Sequence, residues 1–184
     1  MSKAAALPIL MYHHVSPNPG LVTVSPATFC EHMKALARAG WRTVGLDTAA
    51  AFFRGEALPA KTCIVTFDDA YLDNQVHAAP VLADFGFRAA IFAVTGWMGE
   101  GPVRDGDQET PDHRECKRRI ASGDGDSVIL RWSEAERLQA AGTFEFHSHT
   151  HTHIRWDKTL EDARQRESAL ASDLVASRSA LESR

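Results

Sequence analysis

The stretch TCIVTFDDA, residues 62–70, constrains the fold of this chain more than any other. Its first six residues are apolar or β-branched on both alternating faces, as in a strand covered on both sides within a parallel sheet. Two carboxylates follow at once, Asp68 and Asp69. Adjacent carboxylates at the end of a buried strand repel each other and lose hydration. A cation or a shared proton must offset that, unless the pair caps a helix N-terminus. In parallel sheets and barrels, chemistry gathers at the carboxyl ends of strands, where this pair stands.

The rest of the chain alternates around that strand. PILMYH (8–13), WRTVGL (41–46), FRAAIFAV (87–94) and TFEFHS (143–148) read as strands. SPATFCEHMKALARAG (25–40), LDTAAAFFRGE (46–56), DNQVHAAPVLADFG (73–86) and SEAERLQAAG (133–142) read as helices that stop at or near a glycine. Ser25-Pro26 is a start signal, and Ser133 with Glu136 has capping-box spacing. Residues 95–127 are polar, and a loop or poorly ordered insertion is expected there, either rimming a pocket or simply solvated. Residues 160–184 form an amphipathic pattern with Leu160, Ala163, Leu170, Leu174 and Leu181 on one stripe. The alternation predicts an α/β fold with a parallel sheet, as one domain over residues 1–184.

Charge and composition exclude several classes. The net charge is −4 and Lys and Arg are scattered, so no basic face favours nucleic acid. GxGxxG and P-loop patterns are absent. No apolar run reaches membrane-spanning length. The N-terminal AAALPILM passes into Tyr12-His13-His14 with no small-residue cleavage site. A buried first strand and a cytoplasmic chain are expected, with an extracytoplasmic location if a leader is missing. The three cysteines form no CxxC and are expected as reduced thiols, two buried and one exposed.

FEFHSHTHTHI, residues 144–154, holds four of the nine histidines, at 147, 149, 151 and 153. Neutral imidazoles near a carboxylate pair suit zinc and similar divalent ions. On a strand all four would share one face. Two pairs have i, i+4 spacing, His147 with His151 and His149 with His153, and the residues by themselves leave the choice open.

TFDD followed by H-[ST]-x-x-H resembles the first two motifs of the polysaccharide deacetylases, carbohydrate esterase family 4, also called the NodB homology domain. LPILMYHHV and IVTFDDAYLDN are similar to the branch that includes poly-N-acetylglucosamine deacetylases. The resemblance covers most of the chain and implies the N-terminal portion of a distorted (β/α)7 barrel. It implies Asp69, His149 and His153 as ligands of one divalent metal, zinc, with cobalt or nickel as alternatives. Asp68 is then the general base, His147 takes the place of a family glycine, and His151 is a spacer. His13 matches a family Tyr-His and lines the sugar pocket, the alternative being a satisfied strand-end histidine. The implied activity is removal of N-acetyl groups from an amino-sugar glycan, with the oligomeric state open. Ala70 stands where the family commonly has glycine. No histidine follows His153, and no R-x-P-Y-like stretch is present. The family's oxyanion arginine and leaving-group histidine are therefore not matched, and an incomplete domain is expected. The rival readings are a non-catalytic remnant that binds glycan or metal, and a hydrolase of small ring amides.

Overall fold

The computed structural model describes residues 3–184. Strand β1 (Ile9–Tyr12) leads through a two-residue ladder, β2 (His14–Val15) against β3 (Thr23–Val24), into helix α1 (Pro26–Arg38). Then come β4 (Arg42–Thr43), α2 (Leu46–Phe53), the long strand β5 (Thr62–Asp69) and α3 (Ala79–Asp84). Strand β6 (Ala89–Ala93), α4 (His113–Ala121), α5 (Trp132–Ala140), β7 (Phe144–Ser148), the single turn α6 (Trp156–Thr159) and α7 (Ala163–Glu182) complete the order. The sheet runs β1-β5-β6-β7, with β4 beside the first residues of β5, and every pair is parallel. This is the α/β architecture that the alternation predicts. Among the described residues the strands follow an open path rather than a closed ring.

Burial explains why β5 lies inside. It is buried from Thr62 to Phe67, and the Phe67 ring packs on Tyr12 (5.5 Å), Phe29 (5.7 Å) and Phe144 (5.5 Å). One side chain thereby joins β1, α1 and β7, and burying a side chain of that size stabilises by about 1.5–3 kcal/mol. Helix α1 begins where Ser25 Oγ accepts from Thr28 N (3.1 Å) and closes at Gly40, whose φ of +73° is open to glycine without strain. Cys63 and Cys116 are buried, Cys30 is half-buried, and all three are free. No helix among the described residues is long and apolar enough to cross a membrane.

Six local readings need correction. Strand β1 is not buried: Ile9 and Met11 are 55% and 64% exposed, because among the described residues β1 pairs only with β5, on one side. WRTVGL makes only the Arg42–Thr43 ladder, and just beyond it Glu145 packs so close to Gly45 that an added Cβ would meet its Oε2 at 2.4 Å. The backbone there leaves the sheet and Leu46 N donates to Glu145 Oε1 (2.6 Å). Within 73–86, Pro80 has no N–H to give, and a wider π-type turn at Asn74–Ala78 precedes α3. The stretch 95–127 is not a structureless excursion. It carries α4, capped by Asp112 accepting from Glu115 N (3.0 Å), and Arg104 pins it to buried Glu134 (Nε to Oε1 2.8 Å). Helix α5 starts at Trp132, with Glu134 rather than Glu136 accepting from Arg131 N (2.8 Å), while the Ser133 hydroxyl donates to Gly101 O. On α7, Leu170 and Leu174 are 42% and 45% exposed; the buried positions are Asp173 and Ser177. That helix covers a loop whose backbone N–H groups require acceptors, which an apolar stripe cannot supply.

Candidate metal centre and active site

The register sets three strand ends level. Asp69 lies opposite Ala93 and Ala93 opposite Ser148, and His149 N extends the ladder by donating to Ala93 O (2.8 Å). Asp69 and Ala70 both take left-handed backbone, with φ of +73° and +62°. Such a conformation costs an L-residue about 1–2 kcal/mol and gathers at functional sites. Asp69 is 4% exposed, and its buried Oδ1 has no hydrogen-bond partner among the described residues. The Nε2 atoms of His149 and His153 each stand 3.6 Å from that oxygen. This is too long for a hydrogen bond. It is near the spacing of about 3.3–3.4 Å expected for two donors bound at about 2.0–2.1 Å to one tetrahedral zinc. One donor atom from each of the three residues lies within 4.8 Å of the others.

An orphaned buried carboxylate oxygen and two converging imidazole nitrogens form a donor set that fits a divalent cation. Burial, with His149 and Lys117, lowers the pKa of His153 against the opposing pull of Asp69 and Asp68. The neutral ring is the ligating form. Both histidine side chains are about a third exposed, at 33% and 37%, so the cluster faces solvent on one side.

The alternation of four histidines does not survive as one strand face, because β7 ends at Ser148. Left-handed residues at Thr150 (φ +69°) and His153 (φ +59°) turn the chain. Ser148 Oγ accepts from Thr150 N (3.1 Å) and Thr150 Oγ1 from His153 N (3.0 Å). From α7, Asp173 Oδ1 accepts from His151 N (3.2 Å) and Thr152 N (2.9 Å), and Oδ2 from Trp156 Nε1 (3.3 Å). Ser177 meets Ser148, hydroxyl to hydroxyl, at 2.7 Å. His147 is thus left beside Glu145 (3.3 Å), and His151 bonds Thr95 Oγ1 through Nδ1 (3.0 Å). Neither joins the cluster. Sequence reasoning missed Asp173 and Ser177. Two polar residues four apart inside a helical leucine pattern were the only signal.

Asp68, next along β5, points its Oδ2 to 3.6 Å from His13 Nε2, which comes from the end of β1. His13 thus lies beside Asp68 at the end of β1. His14, its neighbour, is fully buried: Nδ1 bonds Asp73 Oδ2 (2.6 Å), Nε2 bonds His113 Nδ1 (3.1 Å), and the ring stacks on Tyr71 at 3.7 Å. Burial raises the Asp73 pKa, and the bond from His14 opposes it. His113 and Lys117 lie one turn apart on α4. Lys117 Nζ sits 4.9 Å from the centre of the Trp97 ring, which is 5.1 Å from that of His153. Helix α4 is thus a wall of the site. A groove of about 550 Å³ runs between residues 19–21 and the α4 residues His113, Arg114 and Lys117. Neither His14, Asp73 nor His113 was legible as a group, since 99 residues separate the two histidines that touch.

Three comparisons bear on this arrangement. The model of the polysaccharide deacetylase family matches residues 55–183. YxkH of Bacillus subtilis (strain 168), named for the same family, is 40% identical over 98 residues, which is 53% of this chain and 35% of that protein. The chain thus spans about a third of that relative's length. Among solved structures, IcaB from Ammonifex degensii superposes with a TM-score of 0.70 at 23% identity, over 96% of this chain and 68% of that one. The Streptococcus pyogenes deacetylase PplD, solved in complex with acetate, gives 0.71 at 19% identity, over 99% and 69%. A de-N-acetylase from Aggregatibacter actinomycetemcomitans gives 0.72 at 17%, over 96% and 74%. At these identities the superpositions establish a shared fold.

Proposed function

This chain belongs to the polysaccharide deacetylase family, and we propose that it is the metal-binding portion of a hydrolase that removes N-acetyl groups from an amino-sugar glycan. The observation that carries this reading is the buried, unpartnered Asp69 Oδ1 with two imidazole nitrogens converging on it, beside a second carboxylate. Asp69, His149 and His153 would hold the ion, with zinc the best match to the donor set and cobalt or nickel the alternatives. When bound, such an ion acidifies water and polarises the amide carbonyl.

This chain's residues then divide the proton work. Asp68 takes a proton from the water that attacks the amide carbon. His13, 3.6 Å from Asp68, is placed to give a proton to the nitrogen as the carbon–nitrogen bond breaks. The products are acetate and a free amine. Acetate release from N-acetylglucosamine oligomers, with zinc or cobalt added, tests the reading. Asp68→Asn should keep the metal and lose turnover by about 10²–10⁴-fold. Asp69→Asn should lose the metal itself. Equal metal loss in both variants would end the division of labour.

A further inference from the structure

The groove beside the metal centre contains a histidine that the proposed reaction does not use. His113 belongs to the polar stretch after β6, at the first turn of α4. Its Nδ1 is committed to His14 Nε2 (3.1 Å). His14 is fixed in turn by Asp73, which also receives Val15 N (3.3 Å) and Asn74 Nδ2 (2.9 Å). His14 is 1% and Asp73 3% exposed, so the ring of His113 rests on a buried, fully bonded base. Such a support fixes a side chain far more tightly than a surface rotamer would. The other ring nitrogen, Nε2, has no hydrogen-bond partner among the described residues, and the residue lines the groove.

The groove adjoins the reaction site. Lys117, one turn along α4, covers the face of Trp97, and Trp97 flanks His153. Asp112, the acid on that wall, is engaged in capping α4. At about 550 Å³ the groove lies in the range of small-ligand sites. A hydroxyl both donates and accepts, so it can meet a ring nitrogen in either tautomer.

We propose that His113 Nε2 hydrogen-bonds a hydroxyl of the glycan in this groove, which makes His113 a specificity-determining residue for the sugar next to the one deacetylated. The inference rests on the deacetylase reading for its ligand class, but its test does not depend on turnover. The zinc-loaded chain is titrated with N-acetylglucosamine tetramer while the His113 ring resonances are followed by NMR, and acetate release is measured in parallel. In the wild type the Nε2 and Cε1 signals should move on addition of the oligomer. His113→Ala should weaken oligomer binding and raise KM by about three- to tenfold, the loss of one neutral hydrogen bond, with kcat and zinc affinity unchanged. His113→Gln, which restores a polar atom at similar reach, should recover part of the loss. Unmoved ring signals, or a His113→Ala variant that binds the oligomer as tightly as wild type, overturn the proposal. If wild type binds the oligomer but releases no acetate, the deacetylase reading fails while the ring signals still decide His113.

Discussion

At the scale of single residues, the two aspartates of TFDDA show how one peptide unit separates two roles. Asp69 turns into left-handed backbone and buries an oxygen without a partner, whereas Asp68 stays in the strand and meets His13. An unsatisfied buried acceptor costs about 1–3 kcal/mol. In metal-free protein, Asp69→Asn should therefore leave thermal stability equal to or above wild type, while zinc no longer raises the melting temperature. A large fall in the metal-free melting temperature would mean that Asp69 has a structural partner. Among the histidines, His149→Ala or His153→Ala should reduce zinc affinity at least as much as the 10–100-fold seen when supporting groups are lost. His147→Ala and His151→Ala should change affinity far less, because His147 lies against Glu145 and His151 bonds Thr95, both away from the cluster. Isothermal titration decides it, and an essential 147/151 pair would reverse the assignment.

At the scale of elements, α7 acts through polar residues. Asp173 holds two backbone N–H groups of the histidine turn and the indole of Trp156. Asp173→Ala should loosen the turn that carries His153 and weaken zinc binding by about 10–100-fold, as outer-shell losses do. Leu174→Ala, on the exposed side of the same helix, should leave zinc affinity and stability nearly unchanged. Similar effects from both variants would show that α7 matters only as a cover. Helix α4 is a comparable case. Its composition reads as solvated surface, yet its inner face carries His113 and Lys117 to the site.

At the scale of the whole molecule, a buried ion pair is among the ties that hold the 95–127 stretch to the rest of the fold. Arg104 bonds both carboxylate oxygens of Glu134 and also Ile129 O. Burial alone would raise the Glu134 pKa, but the bonds from Arg104 and from the Arg131 and Arg104 backbone N–H groups outweigh it and hold the pKa below the ordinary 4.5. A carboxyl with a depressed folded pKa stabilises above its unfolded value, and that stability fades as pH falls through the folded value. The chain should therefore lose stability in acid, beginning below about pH 4.5. Asp73, raised by burial, works in the opposite sense. Glu134→Gln should flatten the acid side of a stability–pH curve from urea melts. Arg104→Ala, which leaves a buried carboxylate uncompensated, should destabilise by about 3–5 kcal/mol at neutral pH. An unaltered acid limb in Glu134→Gln would remove this pair from the account.

What the sequence determined by itself is whatever local chemistry dictates. A six-residue run of apolar and β-branched residues favours a covered strand, Ser25 and Gly40 bound their helix, and a carboxylate pair at a strand end beside clustered histidines points to a cation. The motif resemblance also picked His149 and His153, the pair that the structure gathers with Asp69. Tertiary structure decided the rest, because those choices depend on partners far along the chain. The inward face of α7 is polar because the histidine turn needs acceptors from Asp173. Glu134 rather than Glu136 opens α5 because Arg104 meets it from 30 residues away. His14 and His113 become neighbours only when β6 lies beside β5 and the polar stretch folds back over both strand ends. No window of sequence contains that contact, since it exists only after the sheet has formed.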